Sequence, residues 1–412
     1  MKSDSLKRKK NMKYLIRNMT NIFQKMENSQ KIILQNLESY IKQKHKNENI
    51  TDFEIKINQI DGMTNKNYQI IYYNKNDPNN KNEILYRKYG DILDLCEHDK
   101  EIYIINYLSN KKEGPNILFT SSNYRIEEFV KDSQQIPLEL RYDKNILEQI
   151  INILSNYPFI SNVYKYSLNP ELKINLELYY NNNENKSEKN YVFPTLIDIY
   201  EKLFIKAKEK YEIFNTKYDE YFSKNGLGIE KIKKMKEKFD FYMNDYKNRF
   251  LSLFPKKGFF ILCHNDCHRW NFLYKNSDKK LIIIDHEYSC YSLPGLDLCN
   301  YFNEDSFYFY ENGNYEFKRE EVNTEFYFEE YQKYITTFIE LNKNWINKEE
   351  NKEFVDLIKT KEYYLNLHSI TNVFWFLFCV INLDFDNDII KKTDHYFEYG
   401  YDRLSYAELV KK

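Results

Sequence analysis

The stretch Ile261–Glu304 reads ILCHNDCHRWNFLYKNSDKKLIIIDHEYSCYSLPGLDLCNYFNE. The apolar run Phe259–Cys263 predicts a strand, and a polar turn holding His264, Asp266 and Asn271 follows it. A second apolar run, Leu281–Ile284, predicts another strand and ends on Asp285. The polar segment 275–280, KNSDKK, is expected to join the two as a hairpin-like loop. Two short strands would then deliver Asp266, Asn271 and Asp285 to one end of a small sheet.

That grouping suits phosphoryl transfer. One carboxylate accepts the proton of an attacking hydroxyl. A second carboxylate and an amide oxygen suit Mg²⁺, a hard cation that prefers oxygen ligands and keeps several waters. The spacing H-x-D-x-x-x-x-N, followed by an apolar run into Asp, resembles two segments of the protein-kinase-like fold, H-R-D-x-x-x-x-N and D-F-G. Here the second segment is Asp285-His286-Glu287-Tyr288-Ser289, followed by Gly295-Leu296-Asp297. That version resembles the choline/ethanolamine kinases, whose segments read like HNDxxxxNIL and IDFEYSxYxxxGFDIxNHFxE. A lone H-x-D fits any polar turn before a strand. The second acidic segment, in register, is what makes the pattern specific.

The bulk numbers bound the answer. A chain of 412 residues can build one large or two moderate domains. Lys plus Arg is 61 against 62 Asp plus Glu, so no global basic field argues for nucleic acid. With 39 Tyr and 29 Phe, aromatic-rich packing is expected. The cysteines Cys96, Cys263, Cys267, Cys290, Cys299 and Cys379 include no C-x-x-C and no zinc-like spacing with His. Free thiols in a reducing cytosol are the simpler reading, so a cytoplasmic, soluble protein is expected. The N-terminal segment is charged and lacks the continuous apolar core of a secretory signal. The most apolar later run, Val373–Leu383, falls short of the ~20 apolar residues that cross a bilayer.

Residues 1–27 read as a basic, solvated flexible tail, with Lys2, Lys7, Arg8, Lys9, Lys10, Lys13 and Arg17. Ile32, Ile33, Leu34, Leu37 and Ile41 then recur at helical spacing. Strands are expected at Phe53–Ile60 and Tyr68–Tyr73, around the turn Asp61-Gly62-Met63-Thr64-Asn65. Backbone N–H groups of such a turn can sit over nucleotide phosphates. The turn resembles the family's GGxxN loop, with Asp61 in place of the first glycine, which makes Thr64 and Asn65 nucleotide-binding candidates. Glu83–Gly90, EILYRKYG, resembles the family's VLLRxYG. Arg87 then matches the arginine that takes the role of the protein-kinase ATP lysine. Its carboxylate partner is expected on the next helix at Glu101, with Glu97 as the alternative. Arg125–Val130 resembles the link between lobes, where backbone groups meet adenine, and places Glu127 and Phe129 beside the nucleotide.

These readings divide the chain into a nucleotide-binding lobe, 28–130, and a catalytic and substrate-binding lobe, 131–412. The large lobe is expected to hold an amphipathic helix at 143–156, a polar loop at 181–189 and two helices within 196–250, broken at Gly226-Leu227-Gly228. Further helices are expected around 325–342 and 352–383. Val373–Phe378 resembles the family's HFLWGLW, and Phe397–Leu404 its DYAxxRF.

The resemblance implies roles as well. Asp266 is the expected base and Asn271 and Asp285 the Mg²⁺ ligands. His264 supports the loop, and Asp297 braces it through backbone hydrogen bonds. His268 is expected to be a surface or packing residue rather than a second base. A substrate ammonium wants ring faces and a carboxylate. The matching candidates are Tyr288, Glu304, Trp375, Phe378 and Tyr399, with Phe378 where the family often has a second tryptophan.

The expected fold is therefore an α/β (α+β), two-lobed, protein-kinase-like one, with a small antiparallel-sheet lobe and a large, mainly helical lobe. The expected activity is ATP- and Mg²⁺-dependent phosphorylation of the hydroxyl of choline or ethanolamine, a first step toward phosphatidylcholine or phosphatidylethanolamine. ATP and the amino alcohol are the expected partners, and a homodimer is compatible with all of this. A kinase for aminoglycoside-like alcohols would share His264, Asp266, Asn271 and Asp285, but not the match at Tyr288, Glu304 and Trp375. An inactive nucleotide- or choline-binding protein would have no use for the intact base and metal set.

Overall fold

Alternation of buried and exposed residues decides the five-stranded sheet. In the computed structural model, which describes residues 30–46, 48–60, 65–90, 97–169, 173–180, 193–225, 229–309, 315–318, 325–383 and 390–409, five strands pair antiparallel. They are β1 (Phe53–Ile60), β2 (Lys66–Asn74), β3 (Asn82–Lys88), β4 (Ile117–Thr120) and β5 (Tyr124–Glu128), in the order β1-β2-β3-β5-β4. Side chains two apart share a face of a strand. Tyr68, Ile70 and Tyr72 of β2, Ile84 and Tyr86 of β3, and Tyr124 and Ile126 of β5 are accordingly buried together. The helix at 30–44 covers them with Ile33, Leu37, Tyr40 and Ile41, which are one helical stripe. Tyr86 stacks on Tyr124 at 5.0 Å, and the Asn36 side chain donates to the Tyr86 hydroxyl at 2.7 Å. The expected helix and strands of this region are present. The basic tail at 1–27 and the turn residues 61–64 lie outside the described residues.

The chain forms two compact units: Met1–Leu93 with Asn116–Phe129, and Asp94–Pro115 with Val130–Lys412. The helix His98–Asn110 falls in the larger unit, where the Tyr103 hydroxyl donates to the Ile160 carbonyl at 3.1 Å.

The larger unit is mainly helical. Asp143 caps the helix Lys144–Asn156 by accepting from the backbone N–H of Asn145 and Ile146. The long helices are Leu196–Asn225, Ile229–Asn244, Glu325–Leu341, Lys361–Ile381 and Ile390–Leu409. The expected helix at 352–383 is two. Lys352–Leu357 ends, and Thr360 starts Lys361–Ile381 by accepting from the Tyr363 N–H. The helix Lys361–Ile381 is long and apolar enough to cross a membrane, but most of it is buried inside the protein. It packs on Leu196–Asn225, on the helix Leu296–Asp305 and on Ile390–Leu409. The polar loop 181–189 and the break at 226–228 lie outside the described residues.

One topological expectation is corrected. Leu281–Ile283 pairs with Phe272–Lys275, not with the strand before the polar turn. That earlier strand, Lys257–Cys263, lies in another sheet, between Cys290–Ser292 and Val163–Leu168, which pairs in turn with Ile174–Tyr180. Phe272 already begins the second strand on leaving the turn, so it is the nearer partner across the loop 276–280. Phe259, Phe260, Ile261 and Leu262 are all buried and need cover on both faces.

Candidate active site

The loop after Lys257–Cys263 is held by its backbone. Asp297 accepts the His264 N–H at 2.8 Å and the Asn265 N–H at 2.7 Å. It can do so because Gly295, at φ 90°, turns the chain into Leu296–Asp305 and aims the first helical turn at the loop. A Cβ at Gly295 would also sit 2.6 Å from the Tyr331 ring, so both conformation and space call for glycine. Burial pushes the Asp297 carboxyl pKa up, while His264 and the two backbone N–H groups oppose that push. This is the bracing role that the sequence resemblance implies.

His264 closes the loop from inside. Its Nδ1 accepts the Asp266 N–H at 3.3 Å, which leaves the proton on Nε2, and Nε2 donates to the Ile284 carbonyl at 3.0 Å. Asn265, unremarked in the sequence, sits at φ 64° and donates to the carbonyls of Cys263 and Tyr288 at 3.1 and 3.2 Å. Asparagine tolerates this left-handed conformation better than most residues.

Asp266 and Asn271 meet. The Asn271 amide donates to the Asp266 carbonyl at 2.8 Å and to its Oδ2 at 3.0 Å. Both of its N–H groups therefore point at Asp266, and its carbonyl oxygen is the atom turned away. The Asn271 backbone also accepts the Ile284 N–H at 2.9 Å, which sets Asp285 one residue beyond that bond. Asp285 holds φ 69°, a strained conformation that costs on the order of 1–3 kcal/mol for a non-glycine residue and tends to mark functional sites. An amide oxygen and a carboxylate are hard donors that fit Mg²⁺. Among the described residues no three His, Cys, Asp or Glu converge on a metal position. A two-ligand protein set suits a magnesium ion that takes its remaining ligands from phosphate and water.

His268 packs edge to face on Trp270 at 5.4 Å and also reaches Asp266. Its Nε2 lies 3.4 Å from the Asp266 Oδ1, and its side chain is 18% exposed. Burial would push the Asp266 carboxyl up, but the charge and hydrogen bond of His268, with help from His264 and Asn271, hold it below the usual carboxylate range. For His268, burial alone lowers the pKa, and Asp266 outweighs it.

Of the aromatic candidates, Trp375 meets Tyr288 edge to face at 5.6 Å and Phe378 at 5.4 Å. Tyr399 lies against Phe307 and Tyr315. Glu304 reaches it through Arg403, whose Nη2 donates to both the Glu304 Oε1 and the Tyr399 hydroxyl. The Arg403 Nη1 donates to Asn372 at 3.2 Å, and its guanidinium lies 4.2 Å from the Phe307 ring centre. The expected substrate carboxylate is thus already paired with a buried arginine. Nothing in the helical spacing around Glu304 pointed to a partner 99 positions on.

In the smaller unit, Arg87 and Arg125 are register partners on β3 and β5. The Glu127 carboxylate serves both. The Arg125 Nε donates to its Oε1, and the Arg87 Nε lies 3.5 Å from the same atom. Sequence reasoning placed Glu127 only by the lobe link and missed it as a partner of Arg87. Asn65 is buried, and its Oδ1 accepts the Gly90 N–H at 3.2 Å. Phe129 is half-buried, and Thr64 lies outside the described residues. In the larger unit Glu101 is buried on the helix His98–Asn110, while Glu97 pairs with Lys100 at 2.9 Å with its side chain 73% exposed.

The antiparallel small unit, the helical large unit and the H-x-D loop facing an Asp-bearing strand end define a protein-kinase-like fold. Over residues 56–408 the chain matches the choline/ethanolamine kinase family, and it belongs to that family. A probable ethanolamine kinase of Arabidopsis thaliana is 24% identical over 231 residues, 56% of this chain and 51% of that protein. The chain therefore spans about half the length of the curated relative it matches. The crystal structure of choline kinase from Cryptosporidium parvum Iowa II is similar with a TM-score of 0.57 at 20% identity, covering 93% of this chain and 95% of that one. An ethanolamine kinase from Plasmodium vivax gives a TM-score of 0.49 at 20% identity, covering 87% and 83%. At 20% identity the likeness to the Cryptosporidium parvum structure speaks for the fold.

Proposed function

We propose that this chain is an ATP- and Mg²⁺-dependent kinase of choline or ethanolamine, making phosphocholine or phosphoethanolamine as the first step toward the corresponding phospholipid in the cytoplasm. The observation that carries this reading is the braced loop that sets the ionised Asp266 against Asn271, with Asp285 one residue past the backbone bond to Asn271. The smaller unit would bind the nucleotide, with Arg87 on its phosphates. The larger unit would hold the acceptor and carry out the transfer.

Asp266 receives the hydroxyl proton of the alcohol as that oxygen bonds to the γ-phosphorus and ADP departs. A carboxylate held ionised at neutral pH accepts the hydroxyl hydrogen bond at once, and positioning matters more than base strength. Asn271 and Asp285 would hold the magnesium ion, which when bound neutralises charge developing on the phosphates. Asp297 and His264 keep the loop in place and touch no reactant.

The ring faces of Tyr288, Trp375 and Phe378 would hold the acceptor's ammonium. Because Arg403 offsets the charge of Glu304, those faces carry more of the recognition than a carboxylate would. That favours the trimethylammonium of choline, which cannot donate hydrogen bonds.

The test is transfer from γ-labelled ATP to a panel of choline, ethanolamine and an aminoglycoside. Labelled phosphocholine, with less phosphoethanolamine, is expected. Label on the aminoglycoside alone would overturn the reading.

A further inference from the structure

The helix Leu296–Asp305 grips the loop at two points, one on each side of Asp266. Asp297 takes the backbone N–H groups of His264 and Asn265. Three residues on, and so on the same helical face, Asn300 donates its side-chain N–H to the Cys267 carbonyl at 3.1 Å. The two grips differ. Asp297 spends both oxygens on the loop. Asn300 spends only its nitrogen there, and its oxygen accepts the indole N–H of Trp375 at 3.0 Å. Asn300 and Cys267 are fully buried, so neither bond competes with water. The amide orientation is fixed, since the reverse would set donor against donor at Trp375 and acceptor against acceptor at Cys267. One rigid planar amide thus joins the aromatic group to the Cys267–His268 peptide, one residue past Asp266.

We propose that Asn300 is a positioning residue that couples Trp375 to the catalytic loop, so that the way an acceptor seats on the indole sets the alignment of Asp266. The proposal rests on the function proposed above, with Trp375 as part of the acceptor site. Its consequence is that acceptor recognition and turnover are linked: a change at the indole N–H is felt in kcat as well as in KM.

The test uses the full chain and two variants, separately and combined. Trp375→Phe keeps a ring face and removes the N–H; Asn300→Ala removes the amide. For the alcohol that the wild type accepts, Asn300→Ala should lower kcat about 10- to 100-fold, the scale of a small misplacement of reacting groups. Trp375→Phe should lower kcat by a larger factor than it raises KM. The double variant should be no worse than Asn300→Ala within about twofold, because the two act in series. Hydrogen exchange of the peptide Cys263–Phe272 should quicken in both single variants.

The proposal is overturned if Trp375→Phe raises KM at unchanged kcat, if the two losses multiply, or if the loop exchanges normally in Trp375→Phe. Should Asn300→Ala fail to fold, Trp375→Phe alone decides through its kcat and its loop exchange. Exchange needs no turnover, so the relay can fail while the wild type still phosphorylates an amino alcohol. Equally, it can stand if the acceptor proves to be another alcohol.

Discussion

The loop His264–Asn271 and the cluster around Glu304 are both buried and polar, but they are held in different ways. The loop hangs on bonds from its backbone to Asp297 and Asn300 and from the His264 ring to the Ile284 carbonyl, all within Ile261–Glu304. The cluster depends on Arg403, which comes from the last helix and ties Glu304, Tyr399 and Asn372 together. Geometry held by several short-range bonds should survive changes elsewhere in the unit, apart from those at Trp375, which reaches the loop through Asn300. Geometry held by one buried ion pair should fail when either partner is removed, because the other charge is left without compensation.

The largest break is expected at the loop's metal side. Asp285→Ala should cut Mg²⁺-dependent turnover on the order of 10³-fold or more, since it removes the one charged ligand of the proposed pair. Titration with Mg²⁺ or Mn²⁺ checks this, and an unchanged curve would remove Asp285 from the site.

Arg403→Met should cost about 3–5 kcal/mol of stability by stranding Glu304. Adding Glu304→Gln should return much of it. Chemical denaturation of the single and double variants measures both. Equal midpoints for the two would mean that the pair is not what holds the cluster.

The cluster also contains a buried imidazole. His368 binds Asn303, and burial pushes its pKa down to about 3. It therefore stays neutral in the folded chain while the unfolded chain takes up a proton below about 6.5. The unfolded state then binds more protons, so stability should fall with pH below that value, by about 1.4 kcal/mol per unit. Denaturation between pH 5 and pH 7 should show this slope in the wild type, and His368→Gln should flatten it. An identical slope in the variant would place the acid sensitivity elsewhere.

The smallest effect separates substrates. Trp375→Ala should raise the choline KM more than the ethanolamine KM, by a differential on the order of 1–2 kcal/mol. Equal losses would make Trp375 a core residue whose removal loosens the unit.

The same contrast explains what could be read in advance. The meeting of Asp266 and Asn271 was legible because both lie on one short stretch, and the hold of Asp297 because its bonds reach back within that stretch. Arg403 was not legible as the partner of Glu304, since an ion pair between distant helices leaves no periodic mark. The hairpin was assigned to the wrong first strand because two apolar runs flank the polar turn, and only the strand partners on both edges of Lys257–Cys263 separate them. The contact of His268 with Asp266 was not legible because spacing says nothing of a ring folded back onto the loop. Asn265 carried a faint signal, being an asparagine in a tight turn, and its left-handed backbone is the reason.

The central claim is that Asp266 receives the acceptor proton in a chain that phosphorylates an amino alcohol. The most direct measurement compares wild type and Asp266→Asn for phosphocholine formation under saturating ATP, alongside nucleotide affinity. The account predicts that kcat falls about 10²–10⁴-fold, the usual weight of a positioned base, with nucleotide affinity nearly unchanged. Near-normal kcat in Asp266→Asn would contradict it.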